Sequence, residues 1–145
     1  MSPPRRQAVT VFLTHQGRIL LVRRSQRVGS YRGCWAGVSG YLEPDADPLD
    51  QARVELSEET GLSSDHIALL RRGEPLEVPD PELDVVWRVH PFLFSVADPA
   101  RIRLDWENVE QQWIAPEAVA ASQPAVPRLA DTFAACWPPT AAAPP

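Results

Sequence analysis

The sequence predicts one layered α/β domain, and three observations carry that expectation. Short β-prone runs recur along most of the chain, punctuated by glycine- and proline-marked turns. One central segment instead carries the start and stop chemistry of an isolated helix, with strand-like runs on either side. At 145 residues and 44% hydrophobic content, the chain can fill one modest core and has little left for a second. Strands interleaved with isolated helices give layers; a bundle would show helical periodicity throughout.

Taken in order, residues 1–7 are rich in proline and arginine and read as a disordered tail, as do residues 138–145, which are only proline, threonine and alanine. A single domain is expected over residues 8–137. Ala8 to Leu13 and Ile19 to Arg23 are β-prone and predict a hairpin turning at Gly17. Ser25 to Cys34 reads as a loop containing Gly29 and Gly33, and Trp35 to Glu43 as an extended segment broken at Gly37 and Gly40. A helix is predicted from Pro48 to Thr60. Asp47 suits its N-cap, Pro48 its first turn, Asp50 the capping-box position and Gly61 a left-handed stop. Ile67 to Leu70, Leu76 to Val78, Val85 to Val89 and Phe92 to Val96 read as strands, with Pro91 marking an edge or a bulge, and Trp113-Ile114 as a closing strand. Pro116 to Ala121 predicts a short helix. Val126 to Trp137, with Val126, Leu129, Ala130, Phe133 and Trp137 apolar, predicts an amphipathic one.

Composition excludes several classes of function. Apolar stretches such as Ile19 to Val22 fall far short of the roughly 20 residues of a membrane helix, and the N-terminus lacks the apolar run of a signal peptide, so a cytoplasmic protein without a membrane partner is expected. Cys34 and Cys136 form neither a C-x-x-C pair nor a disulfide framework. A net charge of -5 argues against nucleic acid as a partner. All fourteen basic residues are arginines, whose planar fork suits phosphate, although the absence of lysine also fits a codon bias.

The chemistry concentrates in Val54-Glu55-Leu56-Ser57-Glu58-Glu59-Thr60-Gly61-Leu62. Helical spacing puts Glu55, Glu58 and Glu59 on one face, at i, i+3 and i+4. Three carboxylates so close repel one another unless a cation lies among them, and hard cations such as magnesium take oxygen ligands. Alone, such a face is more often simply a solvated helix surface. The surrounding residues reverse that weighting. Gly40 through Leu62 resembles the Nudix box, G-x5-E-x7-R-E-U-x-E-E-x-G-U with U a bulky apolar residue, and Gly40, Glu55, Leu56, Glu58, Glu59, Gly61 and Leu62 fall in register. Outside the box, Arg23-Arg24 at a strand end, Trp35 leading into the box and Trp113-Ile114 in a later strand also resemble family members. The resemblance spans most of residues 8–137.

This resemblance implies an α+β Nudix-like fold, a mixed β-sheet sandwiched between helices. It implies a MutT-like pyrophosphohydrolase that cleaves a phosphoanhydride bond in a nucleoside diphosphate linked to another moiety, of the ADP-ribose, nucleotide sugar or nucleoside triphosphate type. It implies magnesium as cofactor, with manganese as the alternative, held by Glu55, Glu58, Glu59 and the backbone carbonyl of Ser39. The partner implied is a small nucleotide, and homodimers are common in the family. Glu58 or Glu59 is a candidate to help deprotonate the attacking water. So is Glu107, six residues before Trp113, which resembles the distal glutamate of several Nudix enzymes, with Glu110 as substitute. Asp105, Glu107 and Glu110 read equally well as a solvated loop. Arg23, Arg24, Arg27 and Arg32, around the loop before the box, are candidates to clamp phosphate, each against a plain surface role. Tyr31, Trp87 and Phe92 are candidates to stack on a base, against core packing, and His90 to contact substrate or metal, against a structural hydrogen bond.

Two box positions depart from the pattern. Ala46 stands where a glutamate is expected and Val54 where an arginine is, and loss of both members of a charge pair costs less than loss of one. Asp45 or Asp47, with Arg53, is the expected substitute pair. Val38-Ser39 replaces the common proline-glycine. These departures keep open a non-catalytic Nudix-like nucleotide-binding module. An unrelated acidic domain binding calcium or a protein fits the in-register matches poorly, and an isoprenoid diphosphate isomerase needs a cysteine context that Cys34 matches only loosely. The proline-rich stretch Pro75 to Pro81 does not match the ADP-ribose hydrolase pattern, so the sequence names no single substrate.

Overall fold

The computed structural model describes residues 2–139. β1 (Arg5–His15) and β2 (Arg18–Arg24) form the expected hairpin, with Thr14 opposite Ile19. Gln16 and Gly17 take φ of 50° and 78°, the two left-handed residues a tight two-residue hairpin turn needs. There follow β3 (Trp35–Ala36), β4 (Val38–Leu42), α1 (Pro48–Thr60), β5 (Ile67–Arg72), β6 (Leu76–Asp80), β7 (Val85–Val96), β8 (Asn108–Ile114) and α2 (Leu129–Ala134), with 3-10 turns at Ser64–His66, Pro99–Arg101 and Pro116–Ala121. No described helix is long and apolar enough to cross a membrane.

All eight strands join one mixed sheet. Its central pair, β1 and β7, runs parallel from Arg5 opposite Val86 to Thr14 opposite Ser95, and the other pairings are antiparallel. β4 lies on β1, β8 on β2, and β5 and β6 share the far side of β7. The strands read as near-continuous apolar runs because both faces are covered. Val9, Val11, Leu13, Phe92, Phe94 and Val96 pack with Ala52 and Leu56 of α1 and with Leu62 beyond it. Phe12, Ile19, Leu21 and Leu93 point the opposite way, onto Val119, Leu129, Phe133 and Cys136. The sheet is thus sandwiched between α1 and the C-terminal helical segment. Phe12, Phe92 and Phe94 are completely buried, each contributing about 1.5–3 kcal/mol of hydrophobic stabilisation.

The boundaries of α1 follow the capping chemistry of its sequence. The Asp47 carboxylate accepts the Asp50 N–H at 2.9 Å, Pro48 opens the helix, and Gly61 closes it at φ 74° with its N–H donated to the Ser57 carbonyl. The buried side of α1 holds Ala52, Leu56 and Thr60, but also Glu55 and Glu59. Carboxylates are rarely buried for packing alone, so this face marks the site.

Several expected boundaries move. β1 begins at Arg5, so Arg5, Arg6 and Gln7 are strand and not tail, because β7 extends back to Val85 and supplies their partners. Met1 and residues 140–145 of the two expected tails lie outside the described residues, while the Pro138 carbonyl accepts a hydrogen bond from Arg71. β7 runs unbroken through Pro91. The proline sits where β6 hands over to β5, beside a register shift between Leu69 and Arg71, and its carbonyl accepts the Gly73 N–H. The expected bulge therefore lies in the partner strand. The last helix is shorter than the apolar spacing suggested: Arg128, at φ 59°, interrupts it, yet Val126 and Trp137 outside the helix still pack on the same cluster as Leu129 and Phe133.

Candidate active site

β4 and α1 are joined by a short connection that lays the helix directly across Gly40. A Cβ at position 40 would lie 2.1 Å from Cδ of Glu55, so only glycine leaves room for that carboxyl group. Glu55 is 8% exposed and accepts a 2.7 Å hydrogen bond from Nε2 of Gln51 one helical turn earlier. It also shares a hydrogen bond with Glu59, one turn later and 3% exposed. Oε1 of Glu59 accepts from Nδ2 of Asn108 at 2.9 Å, whereas its buried Oε2 accepts from no donor among the described residues. Burial first, then the hydrogen bond shared with Glu55, pushes Glu59 up to about 9, against the donation from Asn108. Burial also raises Glu55, against the hydrogen bonds from Glu59 and Gln51.

Two further carboxylates belong to this centre. Glu58, immediately before Glu59 on α1, is exposed, and its charge is felt by both Glu55 and Glu107. Glu107, in the turn before β8, is half-buried and lies close enough to Glu55, Glu58 and Glu59 to interact with each. Burial raises its carboxyl above the usual range, Asp105 and Glu55 add to the rise, and Arg24 opposes it. The structure therefore brings Glu107 to the helix carboxylates, away from the purely solvated role. Glu110 is instead exposed and tied to Nε of Arg23 at 2.7 Å.

A cleft of about 380 Å³ opens beside this cluster, and Arg24, Ser39, Gly40 and Glu107 line it. Of the four arginines, only Arg24 reaches it. Its Nε donates to the Ser30 carbonyl at 3.1 Å. Arg23 pairs with Glu110, Arg27 lies over the Trp106 ring, and Nε of Arg32 donates to the Val28 carbonyl. Tyr31 and Trp87 also line the cleft, whereas Phe92 is completely buried in the core and cannot stack on a ligand. His90 is hydrogen-bonded to Gln7 at 2.7 Å, and burial followed by the charges of Arg88 and Arg72 lowers its pKa. A larger cavity of about 720 Å³, lined by His15, His66 and Trp137, contains none of the carboxylates. Volume alone does not identify the site.

The proposed substitute for the missing box pair does not form. Arg53 lies over the Phe94 ring, Asp47 caps α1, and among the described residues no ion pair joins Arg53 to Asp45 or Asp47. Val54 is 44% exposed, so its position carries no buried charge that would require a partner. Three residues of the site escaped the sequence reading: Gln51, Asn108 and Asp80. Gln51 was readable, standing four residues before Glu55. Asn108 was not, because it turns inward at a bulge where β8 shifts register between Arg23 and Arg24.

A model of the NUDIX domain family matches residues 4–136. The chain belongs to the Nudix family. It is accordingly a Nudix pyrophosphohydrolase. No curated protein matches it. Among solved structures it is similar to the Escherichia coli dihydroneopterin triphosphate pyrophosphohydrolase, at 16% identity and a TM-score of 0.73 over 92% of this chain and 95% of that one. It is also similar to a Caenorhabditis elegans Ap4A hydrolase, at 16% identity and a TM-score of 0.69 over 89% and 93%. A third is the MutT protein from Methanosarcina mazei Go1, at 23% identity and a TM-score of 0.65 over 92% and 94%. These similarities match the Nudix fold, with its mixed sheet between helices.

The Nudix assignment raises the question of a divalent cation. Among the described residues, no three histidine, cysteine or acidic side chains stand in a ready ligating arrangement. The donor chemistry nonetheless fits: Glu55 and Glu59 offer hard oxygen atoms, and the buried Oε2 of Glu59 accepts from no donor among the described residues, a lack that a cation would satisfy.

Proposed function

We propose that this Nudix enzyme hydrolyses a phosphoanhydride bond in a nucleoside diphosphate linked to a further group, of the ADP-ribose, nucleotide sugar or nucleoside triphosphate type. The observation that carries the reading is the buried Glu55 and Glu59 pair beside a cleft lined by Arg24 and Glu107. Glu55, Glu58 and Glu59, with the Ser39 carbonyl, would hold magnesium, or manganese in its place. A bound divalent cation supplies neutralisation of phosphate charge and a more acidic water.

The chain's own groups have distinct tasks. Glu107, with its raised pKa, accepts the proton of the attacking water. The water oxygen forms a bond to one phosphorus, the bridging phosphorus–oxygen bond breaks, and the leaving phosphate departs with the bridging oxygen. Arg24 holds phosphate oxygens on the cleft wall; Arg23, Arg27 and Arg32, engaged elsewhere, contribute charge from outside. Gln51 and Asn108 keep the buried glutamates oriented. Relatives whose names specify Ap4A and dihydroneopterin triphosphate support a substrate with an aromatic ring system at one end of a phosphate chain. A cytoplasmic enzyme acting on a dissolved small molecule is part of the proposal, and the net charge of -5 supports excluding nucleic acid.

Turnover of a panel of nucleoside diphosphate derivatives, with and without magnesium, tests the reading against a Glu58→Gln, Glu59→Gln double variant. Cation-dependent release of a nucleoside monophosphate, lost in the variant, is the expected result. Nucleotide binding by both proteins without turnover would establish a binding module instead.

A further inference from the structure

Asp80 ends β6, is 5% exposed, and takes part in no ion pair among the described residues. Its Oδ1 accepts from the Tyr31 hydroxyl at 2.5 Å and from the Leu83 N–H at 3.1 Å, and its Oδ2 accepts from Nε1 of Trp87 at 3.0 Å. A buried carboxylate is costly unless it is satisfied in this way, and packing two aromatic rings against a sheet does not require one. Tyr31 arrives from the loop between β2 and β3, 49 residues away in sequence. Its backbone sits at φ 50°, and its N–H donates to Oε1 of Glu82 at 3.2 Å. A left-handed tyrosine persists only where its surroundings over-determine it. Here two acidic side chains do so, Asp80 at the end of β6 and Glu82 in the turn after it.

We propose that Asp80 is a positioning residue that fixes the rings of Tyr31 and Trp87 as one platform for the planar ring of the substrate. The inference rests on the reading of the cleft as a site for nucleoside diphosphate derivatives. Both polar ring atoms are spent on Asp80, so Tyr31 and Trp87 offer the cleft only ring surface. The neighbouring wall holds the apolar Ala8, Val78, Val89 and Leu129, and its Thr10 and Thr132 hydroxyls are bonded to Ser39 and to the Arg128 carbonyl. Such a platform recognises that a ring is present but does not read its hydrogen-bonding edge, and stacking of this kind tolerates different bases. The enzyme therefore selects for an aromatic group at one end of its substrate and accepts adenine and guanine alike.

Titration calorimetry with AMP, GMP and ribose 5-phosphate tests this, since AMP and ribose 5-phosphate differ only by the base. The wild-type protein is expected to bind AMP at least about tenfold more tightly than ribose 5-phosphate, and GMP within about threefold of AMP. Trp87→Leu and Asp80→Asn should each bring the ratio of AMP to ribose 5-phosphate affinity close to one while leaving ribose 5-phosphate binding unchanged. Tyr31→Phe, which removes only the hydroxyl donor, should reduce the ratio by a smaller amount, and it remains informative if Asp80→Asn fails to fold by circular dichroism. Equal binding of AMP and ribose 5-phosphate, undetectable AMP binding, a ratio that survives Trp87→Leu, or more than tenfold discrimination between AMP and GMP would each overturn the proposal. The turnover panel separates it from the catalytic reading. Hydrolysis with a ratio insensitive to Trp87 defeats the platform alone; a Trp87-dependent ratio with no hydrolysis defeats the hydrolase reading alone.

Discussion

The side-chain amide of Asn108 donates to Oε1 of Glu59 at 2.9 Å, joining residues 49 apart in the chain. The contact exists because β8 bulges where it passes Arg23 and Arg24, so that Val109 turns out to 58% exposure and Asn108 turns in. One irregularity in a strand thus orients a glutamate on a helix. Asn108→Ala removes the donor to Oε1 and leaves the buried Glu59 carboxyl without an amide or hydroxyl donor among the described residues. Cation-dependent turnover is expected to fall about tenfold, in line with the effect of groups that orient metal ligands. A variant of normal thermal stability with full turnover would show that Glu59 is held by other means.

Gly40→Ala tests the fit between β4 and α1. The added methyl would meet the Glu55 carboxyl group at 2.1 Å, and that side chain is buried and tethered to Gln51. Overpacking of this kind costs about 1–3 kcal/mol, so the melting temperature should fall modestly. Turnover should fall far more, because the group displaced is the carboxyl proposed to hold the cation. Equal activity in the two proteins would remove Glu55 from the site.

The raised carboxyl pKa of Glu59 ties stability to pH. A carboxyl whose folded-state pKa lies above its unfolded value favours the folded state while it is protonated, and that contribution is lost as pH rises from the ordinary 4.5 toward about 9. The cation-free protein should therefore melt at lower temperature at pH 9 than at pH 6, and Glu59→Gln should flatten that dependence. Added magnesium should stabilise more at the higher pH, where no proton competes. Thermal melts across this range with and without magnesium would reveal a wrong sign directly.

Glu107 and Glu110 lie in one acidic stretch but in different surroundings. Glu107→Gln should lower kcat by about a hundredfold or more, the range of general-base catalysis, with little change in KM. Glu110→Gln breaks only an exposed ion pair with Arg23 and should leave kcat within about twofold. Matching losses in the two variants would place the general base elsewhere.

Local chemistry made much of this site readable. The caps of α1, the spacing of Glu55, Glu58 and Glu59, and the left-handed Gly61 all depend on residues within one or two turns of one another, so the sequence displays them directly. Asp80 drew no attention in the sequence, because its hydrogen bond depends on Tyr31 arriving from a distant loop. The arginines could not be told apart for the same reason. Arg23 and Arg24 are neighbours in sequence, but alternation along β2 sends one to Glu110 and the other to the cleft, and no local rule distinguishes the two. Pro91 was a sound signal of interrupted pairing, but the interruption appeared as a change of partner and a bulge in β5.

The parallel pairing of β1 with β7 also shapes how the protein is made. Gln7 and His90, bonded across that pairing, are 83 residues apart, so during synthesis β1 emerges long before the strand that completes it. Until then, Val9 to Leu13 presents an open apolar edge of the kind that pairs with other chains. Refolding from denaturant should consequently be slow for a chain of this length and should lose yield steeply as protein concentration rises, because the strand that protects the edge is the last long one to be made.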